Sequence, residues 1–322
     1  MKAAIYTQYG SPDVLQLRDV DKPVPKDTEV LIRVHATSIN DWDWGLLNGD
    51  AVNRLINGIF KPKKMNILGS DIAGRVEAVG KAVTCFKPGD DVYGDLAGRF
   101  GGFADYVCAL QNQVAKMAIG MSFEQAAAIP QAGMLALQGL FDILPLKDGQ
   151  KVLINGAGGG VGTFGIQFAK QFDVEVTGVD STGKLELMRR IGFDHVIDYT
   201  QEDFTQSGRE YDLIVDAKTN RSSFVYLRAL KPSGVYATVG GRVPRLLQVA
   251  LFGKPIQWLT GKQTRIVVLR ANRDLAYINE LFEAGKLTPV IDGPYTLNQL
   301  ADAFRHFGRA EHQGKIVVTI PA

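Results

Sequence analysis

The chain has 322 residues, enough for two domains of ordinary size. Lys and Arg total 36 and Asp and Glu total 34, a net charge of +2 that gives no electrostatic reason to expect nucleic acid or a membrane surface as partner. Two cysteines, Cys85 and Cys108, exclude a four-cysteine zinc site and give no sign of a disulfide framework, so the composition is that of a reduced, intracellular protein.

Residues 1–10 lack the apolar core of a signal peptide, and a cytoplasmic location is expected. Residues 1–120 are rich in β-branched runs and turn signals. Strands are predicted at 30–35, 73–79, 91–93 (after the turn Lys87-Pro88-Gly89-Asp90) and 103–108, which suggests a compact, mostly β domain. The pattern changes at Ser122. Helices are predicted at 123–129 and 133–144. Strands at 151–155, 174–179, 195–197, 213–216, 235–239 and 265–269 then alternate with helices at 161–172, 184–191 and 222–230. This alternation argues an α/β fold with a six-stranded, doubly wound parallel sheet over 121–270. The tail predicts helices at 275–284 and 297–308 and a strand at 315–320. That strand has no place in a completed sheet, so 271–322 is expected to return to the first domain.

The longest uncharged stretch, 152–169, has the length of a membrane span, but six of its residues are glycine. It reads instead as strand, turn and helix, and no integral membrane segment is expected. Its core, residues 154–165, is I-N-G-A-G-G-G-V-G-T-F-G. Close-packed glycines let backbone amides approach a pyrophosphate at a helix amino terminus. Gly156, Ala157, Gly158, Gly159, Gly160, Val161 and Gly162 are therefore candidate dinucleotide-binding residues. Asp180 ends the next strand, where an acid accepts hydrogen bonds from a ribose diol and favours NAD. Ser181 and Lys184 follow, and Lys184 could offset that charge for a 2′-phosphate. Tyr199, after the third strand, could stack near the adenine, and Val239 and Gly240 close the fifth. These residues leave NADP(H) and NAD(H) both open.

The glycine turn, the domain order and several landmarks resemble the medium-chain dehydrogenase/reductase superfamily over essentially the whole chain. The landmarks are 69–80 (G-S-D-I-A-G-R-V-E-A-V-G), 86–92 (F-K-P-G-D-D-V), 127–136 (A-A-I-P-Q-A-G-M-L-A), 195–199 (H-V-I-D-Y) and Gly314-Lys315-Ile316-Val317. Within it the chain looks most like the zinc-independent quinone oxidoreductase branch. The resemblance implies a GroES-like domain interrupted by a Rossmann domain, an active site in the cleft between them, and a homodimer. Zinc enzymes of the superfamily place a Cys where this chain has Asn40 and a His-Glu pair where it has Ser70-Asp71, and their third ligand is also missing. The histidines, His35, His195, His306 and His312, show no ligand spacing with either cysteine. Zinc chemistry is not expected.

A nicotinamide enzyme without metal can still deliver hydride to an electrophilic small molecule, a quinone or an α,β-unsaturated carbonyl. The resemblance puts Asn40 and Asp43 at the nicotinamide, with Asn40 able to donate to an acceptor oxygen and Asp43 to orient it. N-D-W-D also suits a helix start. Trp42 and Trp44 fit either a substrate wall or the core. Lys315 fits either an approach to the cofactor or a plain strand start. The apolar, basic segment 242–265 fits either a lid or a packed helix. Two alternatives stand beside the quinone or enone reductase. One is an enoyl-thioester reductase, although its first-domain tyrosine is missing between Tyr9 and Tyr93. The other is an NADPH-binding protein with little catalysis, kept open by Leu135 where the family often has Thr.

Overall fold

The computed structural model describes residues 1–63, 66–241 and 243–321. They divide into two compact units, Met1–Gln131 with Ala271–Ala322, and Ala132–Arg270. Unit 1 opens with an antiparallel pair, β1 (Lys2–Ile5) and β2 (Gln16–Asp19). β3 (Glu29–Ser38) leads through α1 (Asp41–Asn48) and α2 (Ala51–Asn57) to β4 (Asp71–Val79), β5 (Asp91–Asp95), β6 (Tyr106–Leu110) and β7 (Ala115–Lys116). α3 (Phe123–Ala128) follows, and α4 (Pro130–Phe141) carries the chain into unit 2.

Unit 2 alternates strands with helices. In chain order they are β8 (Lys151–Asn155), α5 (Gly160–Ala169), β9 (Glu175–Asp180), α6 (Leu185–Arg190), β10 (His195–Asp198), β11 (Tyr211–Asp216), α7 (Ser223–Tyr226), β12 (Leu230–Thr238), α8 (Val243–Thr260) and β13 (Gln263–Ile266). The chain then re-enters unit 1 with α9 (Leu275–Glu283), β14 (Ile291–Thr296), α10 (Leu300–Gly308) and β15 (Lys315–Thr319).

The expected six-stranded parallel sheet is present, in the order β10-β9-β8-β11-β12-β13. The order reverses between β8 and β11, so the carboxyl ends of these strands are where such a sheet binds ligands. Unit 1 holds a seven-stranded sheet, β14-β15-β3-β4-β5-β7, with β6 also on β3. β3 alternates Val30, Ile32 and Val34 into one apolar cluster with Ile72, Val76 and Val92. A second cluster gathers Tyr6, Ile39, Leu46, Phe103, Phe304 and Ile316. Each fully buried aliphatic side chain of this kind contributes about 1.5–3 kcal/mol.

The tail belongs to unit 1. β15 pairs antiparallel with β3, Val317 opposite Ser38 and Thr319 opposite Ala36. The unit boundary lies at 131/132, not at the anticipated 120/121, because α3 belongs with unit 1: Phe123 stacks on His35 of β3 at 4.3 Å. Two predicted elements shift. The strand expected at 103–108 is β6, since Phe103 and Ala104 turn into the apolar clusters. The helix expected at 222–230 is one short helix followed by a 3-10 turn, before β12 begins at Leu230. Of segment 242–265, Arg242 lies outside the described residues. The rest forms α8 and β13, and α8 buries only Val249 and Ile256 while Trp258 is 86% exposed. No helix among the described residues is long and apolar enough to cross a membrane.

Candidate active site

The polar centre of unit 1 begins where β3 ends. Asn40 precedes the first turn of α1, and Asp43, three residues on, reaches back so that its Oδ2 accepts the Asn40 backbone N–H at 2.9 Å. Its Oδ1 accepts the Gly69 N–H at 2.8 Å. Asp43 is fully buried, and burial pushes its carboxyl up to about 7, against the pull of these two amides. Asp43 therefore ties α1 to the loop entering β4.

The Asn40 side chain looks the other way. Its Nδ2 donates to Asp71 Oδ2 at 3.0 Å and to Ser70 Oγ at 3.3 Å. Its Oδ1 accepts from Lys315 Nζ at 2.6 Å. Lys315 begins β15, and Ile39 N–H donates to Ile316 O at 3.1 Å, so the pairing of β15 beside β3 brings the ammonium under Asn40. The same Nζ donates to Ile39 O at 3.0 Å and meets Asp71 Oδ2 at 3.4 Å. Asp71 also accepts from Ser38 Oγ at 3.2 Å and from the Gln131 backbone N–H at 3.2 Å. Burial raises the Asp71 carboxyl, and the Lys315 ammonium is the largest opposing influence. Nearby Asp95, pushed by burial and by Asp71 up to about 7, accepts the Ala97 N–H at 2.8 Å.

The glycine turn is the centre of unit 2. Gly156 leaves β8 with φ +88°, a conformation that favours glycine. A Cβ on Gly162 would stand 2.4 Å from the Ala157 backbone, so glycine there seats α5 on the turn. A Cβ on Gly158 would meet the stem of Lys184 at 2.7 Å. Gly159 differs: its φ is −91°, and its nearest neighbour would be Gly156 O at 3.5 Å. Folding does not require glycine at 159. It leaves open room at the amino terminus of α5, which suits the close approach of a phosphate. Asp180 faces this turn. Its Oδ2 accepts the Gly158 N–H at 2.9 Å and its Oδ1 the Ser181 N–H at 2.9 Å. Lys184 Nζ lies 3.8 Å from Asp180 Oδ1, and both side chains are buried. Lys184 is thus a packed lysine, its stem laid across the glycine turn and its ammonium beside Asp180. Tyr199, half exposed, donates its backbone N–H to Asp180 O at 3.2 Å. Val239 donates its N–H to Asp216 O at 2.9 Å, and Gly240, with φ +77°, has open space where a Cβ would stand.

Asn40, Asp43 and Lys315 thus come together in unit 1. Gly156 through Gly162, Asp180, Ser181, Lys184, Tyr199, Val239 and Gly240 belong to unit 2. Trp44 packs on the core beside Phe304 and Phe307, whereas Trp42 is 39% exposed and edge-on to Phe100. The histidines are held by structure: His35 against Phe123, His195 by Glu175, His306 by Asp292, and His312 stacked on Phe307. Sequence reasoning did not place Ser38, Asp95 or Gln131 in the site. The one signal for Asp71 was its place where the resemblance puts a ligand of the zinc enzymes.

Among the described residues no three His, Cys, Asp or Glu side chains gather to hold a metal ion. At Asn40, Ser70 and Asp71 an amide, a hydroxyl and a carboxylate are knit beside the buried Lys315 ammonium. That donor set does not fit zinc.

A family described as alcohol dehydrogenase GroES-like domain matches residues 26–119, and one described as zinc-binding dehydrogenase matches 191–318. The chain is 34% identical to the 2-methylene-furan-3-one reductase of Solanum lycopersicum, over 99% of this chain and 79% of that protein. It is 32% identical to the chloroplastic NADPH-dependent alkenal/one oxidoreductase of Arabidopsis thaliana, with the same coverage. The solved quinone oxidoreductase of Coxiella burnetii superposes with a TM-score of 0.89 at 29% identity, covering 100% of this chain and 99% of that one. The chain belongs to the medium-chain dehydrogenase/reductase superfamily and, within it, to the quinone oxidoreductase branch of NAD(P)H-dependent enzymes.

Proposed function

We propose that this enzyme reduces quinones and α,β-unsaturated carbonyls with NADPH in preference to NADH. The observation that carries the reading is the Asn40 centre, where an oriented amide beside a fixed ammonium stands at the ligand positions of zinc enzymes. Such a centre stabilises an oxygen on which charge develops without providing a Lewis acid. It therefore suits acceptors that are already electrophilic. The reductases of furanones, alkenals and quinones among the relatives support the same class.

The glycine turn fits a dinucleotide, since Gly159 leaves open the room that a phosphate would use. Bound there, the nicotinamide cofactor would supply hydride. The chain's own residues do the rest. The first amides of α5 would hold the pyrophosphate, and Asp180, itself fixed by two backbone amides, would accept from the ribose. Lys184 beside Asp180 cancels the charge that would repel a 2′-phosphate, and the NADPH dependence named for the Arabidopsis relative supports this choice. The 3.3 Å bond from Asn40 Nδ2 to Ser70 Oγ is the longer of its two. An acceptor oxygen competes for that hydrogen as charge accumulates on it. No side chain of the centre is assigned as proton donor, and solvent completes the reduction. We further infer a homodimer and a cytoplasmic, reducing setting in which Cys85 and Cys108 stay free thiols. Light scattering and cell fractionation test these two points.

The test is oxidation of NADPH and NADH, in parallel, against benzoquinone, a polycyclic quinone, a simple enone and an enoyl thioester. Turnover of a quinone or enone, faster with NADPH, is expected. Turnover of the thioester alone would make this an enoyl-thioester reductase. Binding without any turnover would make it a cofactor-binding protein of little catalysis.

A further inference from the structure

We propose that Lys315 is a positioning residue for the reduction, acting through Asn40 and not through the cofactor. The inference rests on the reading of Asn40 as the group at the acceptor oxygen. An ammonium has three N–H donors. Those of Lys315 face three acceptors within the protein: Asn40 Oδ1 at 2.6 Å, Ile39 O at 3.0 Å and Asp71 Oδ2 at 3.4 Å. With 5% of its surface exposed, Lys315 has no donor left to offer a ligand. What it does, it does through the groups it touches.

The group it touches most closely is one whose orientation matters. An amide turned end for end exchanges an acceptor for two donors. Here both ends are fixed. The cation demands the oxygen, and the Asp71 carboxylate at 3.0 Å demands the nitrogen. Turning the amide would face NH2 toward NH3⁺ and oxygen toward carboxylate. The amide dipole therefore lies along the field between Lys315 and Asp71, which polarises its N–H bonds before any acceptor arrives. Donors oriented in advance and shielded from water are what an oxygen gaining charge requires. The tail of the chain thus supplies the charge that a metal supplies in the zinc enzymes, displaced by one amide from the acceptor.

The experiment is a double-mutant cycle on kcat for benzoquinone reduction by NADPH, with cofactor Kd from fluorescence titration. Asn40→Ala and Lys315→Met should each lower kcat by about tenfold or more. Kd for NADPH should change by less than about twofold, as expected for groups outside the dinucleotide turn. The double variant should be no slower than Asn40→Ala alone. Asp71→Asn with Lys315→Met removes both charges, keeps the interior neutral and controls for folding; its kcat should stay low. Losses that multiply in the double variant would overturn the proposal. So would a wild-type kcat in the charge-neutral pair, or a weakened Kd with kcat intact in Lys315→Met. A wild-type kcat in Asn40→Ala would overturn the reading of Asn40 itself, and this inference with it. An impaired Asn40→Ala beside an unimpaired Lys315→Met would overturn the inference alone.

Discussion

The two candidate centres are built by opposite means. The turn of unit 2 is contiguous: Gly156 through Gly162 supply backbone, and side chains at 180 and 184 close over it. The centre of unit 1 is assembled from segments far apart in sequence, at 38–43, 70–71, 131 and 315, and side chains do most of its work. A backbone cradle tolerates substitution except where a Cβ intrudes. A buried network of charges tolerates the loss of pairs better than the loss of single members.

The largest effect that separates them should come from the ion pair. Lys315→Met leaves Asp71 buried without its cation and should cost about 3–5 kcal/mol in denaturant unfolding, whereas adding Asp71→Asn should restore most of it. Equal losses in the single and paired variants would break the contrast. Next comes pH. Asp43 is held near 7 in the folded chain against an ordinary 3.8, so the native state binds more protons than the unfolded state between those values. Its contribution is therefore greatest in acid and is lost as pH rises, by up to about 4 kcal/mol once pH passes 7. Thermal unfolding between pH 5 and 8 should show stability falling with pH in the wild type and a shallower slope in Asp43→Asn. A parallel slope in the two would contradict the burial argument.

The glycine turn should respond differently. Gly159→Ala has room for its methyl and should leave Tm unchanged or slightly raised, while weakening NADPH binding about tenfold or more. Gly162→Ala, with its methyl 2.4 Å from the Ala157 backbone, should lose stability as well. Calorimetry beside cofactor titration separates the two, and equal Tm losses would make 159 a packing glycine. The smallest effect belongs to Asp180. Asp180→Ala should shift the NADPH-to-NADH ratio of kcat/KM further toward NADPH by a few-fold, since the acid alone favours the free ribose. An unchanged ratio would remove Asp180 from ribose contact.

These differences also explain what could be read from the chain. The glycine turn was legible because its spacing, its preceding strand and Asp180 all lie within one strand–helix–strand unit. The six-stranded sheet followed from the same alternation. In unit 1, Asn40 and Lys315 could each be singled out, but their 2.6 Å bond joins residues 275 apart and depends on β15 pairing beside β3. No local periodicity encodes that register. Asp71 was visible only as the occupant of a missing ligand's place, and the Gln131 amide has no side-chain signature at all. Lys184 shows the converse. Its position after Asp180 was plain, but its burial depends on how its stem packs over Gly158, which charge patterning does not reveal.

The most direct test of the account is steady-state NADPH oxidation with benzoquinone by the wild type and by Asn40→Ala, with cofactor affinity measured on the same samples. The wild type should turn over, and Asn40→Ala should show a kcat lower by about tenfold or more at unchanged NADPH affinity. Equal kcat in the two proteins, or a wild type that binds NADPH and reduces neither benzoquinone nor an enone, would contradict it.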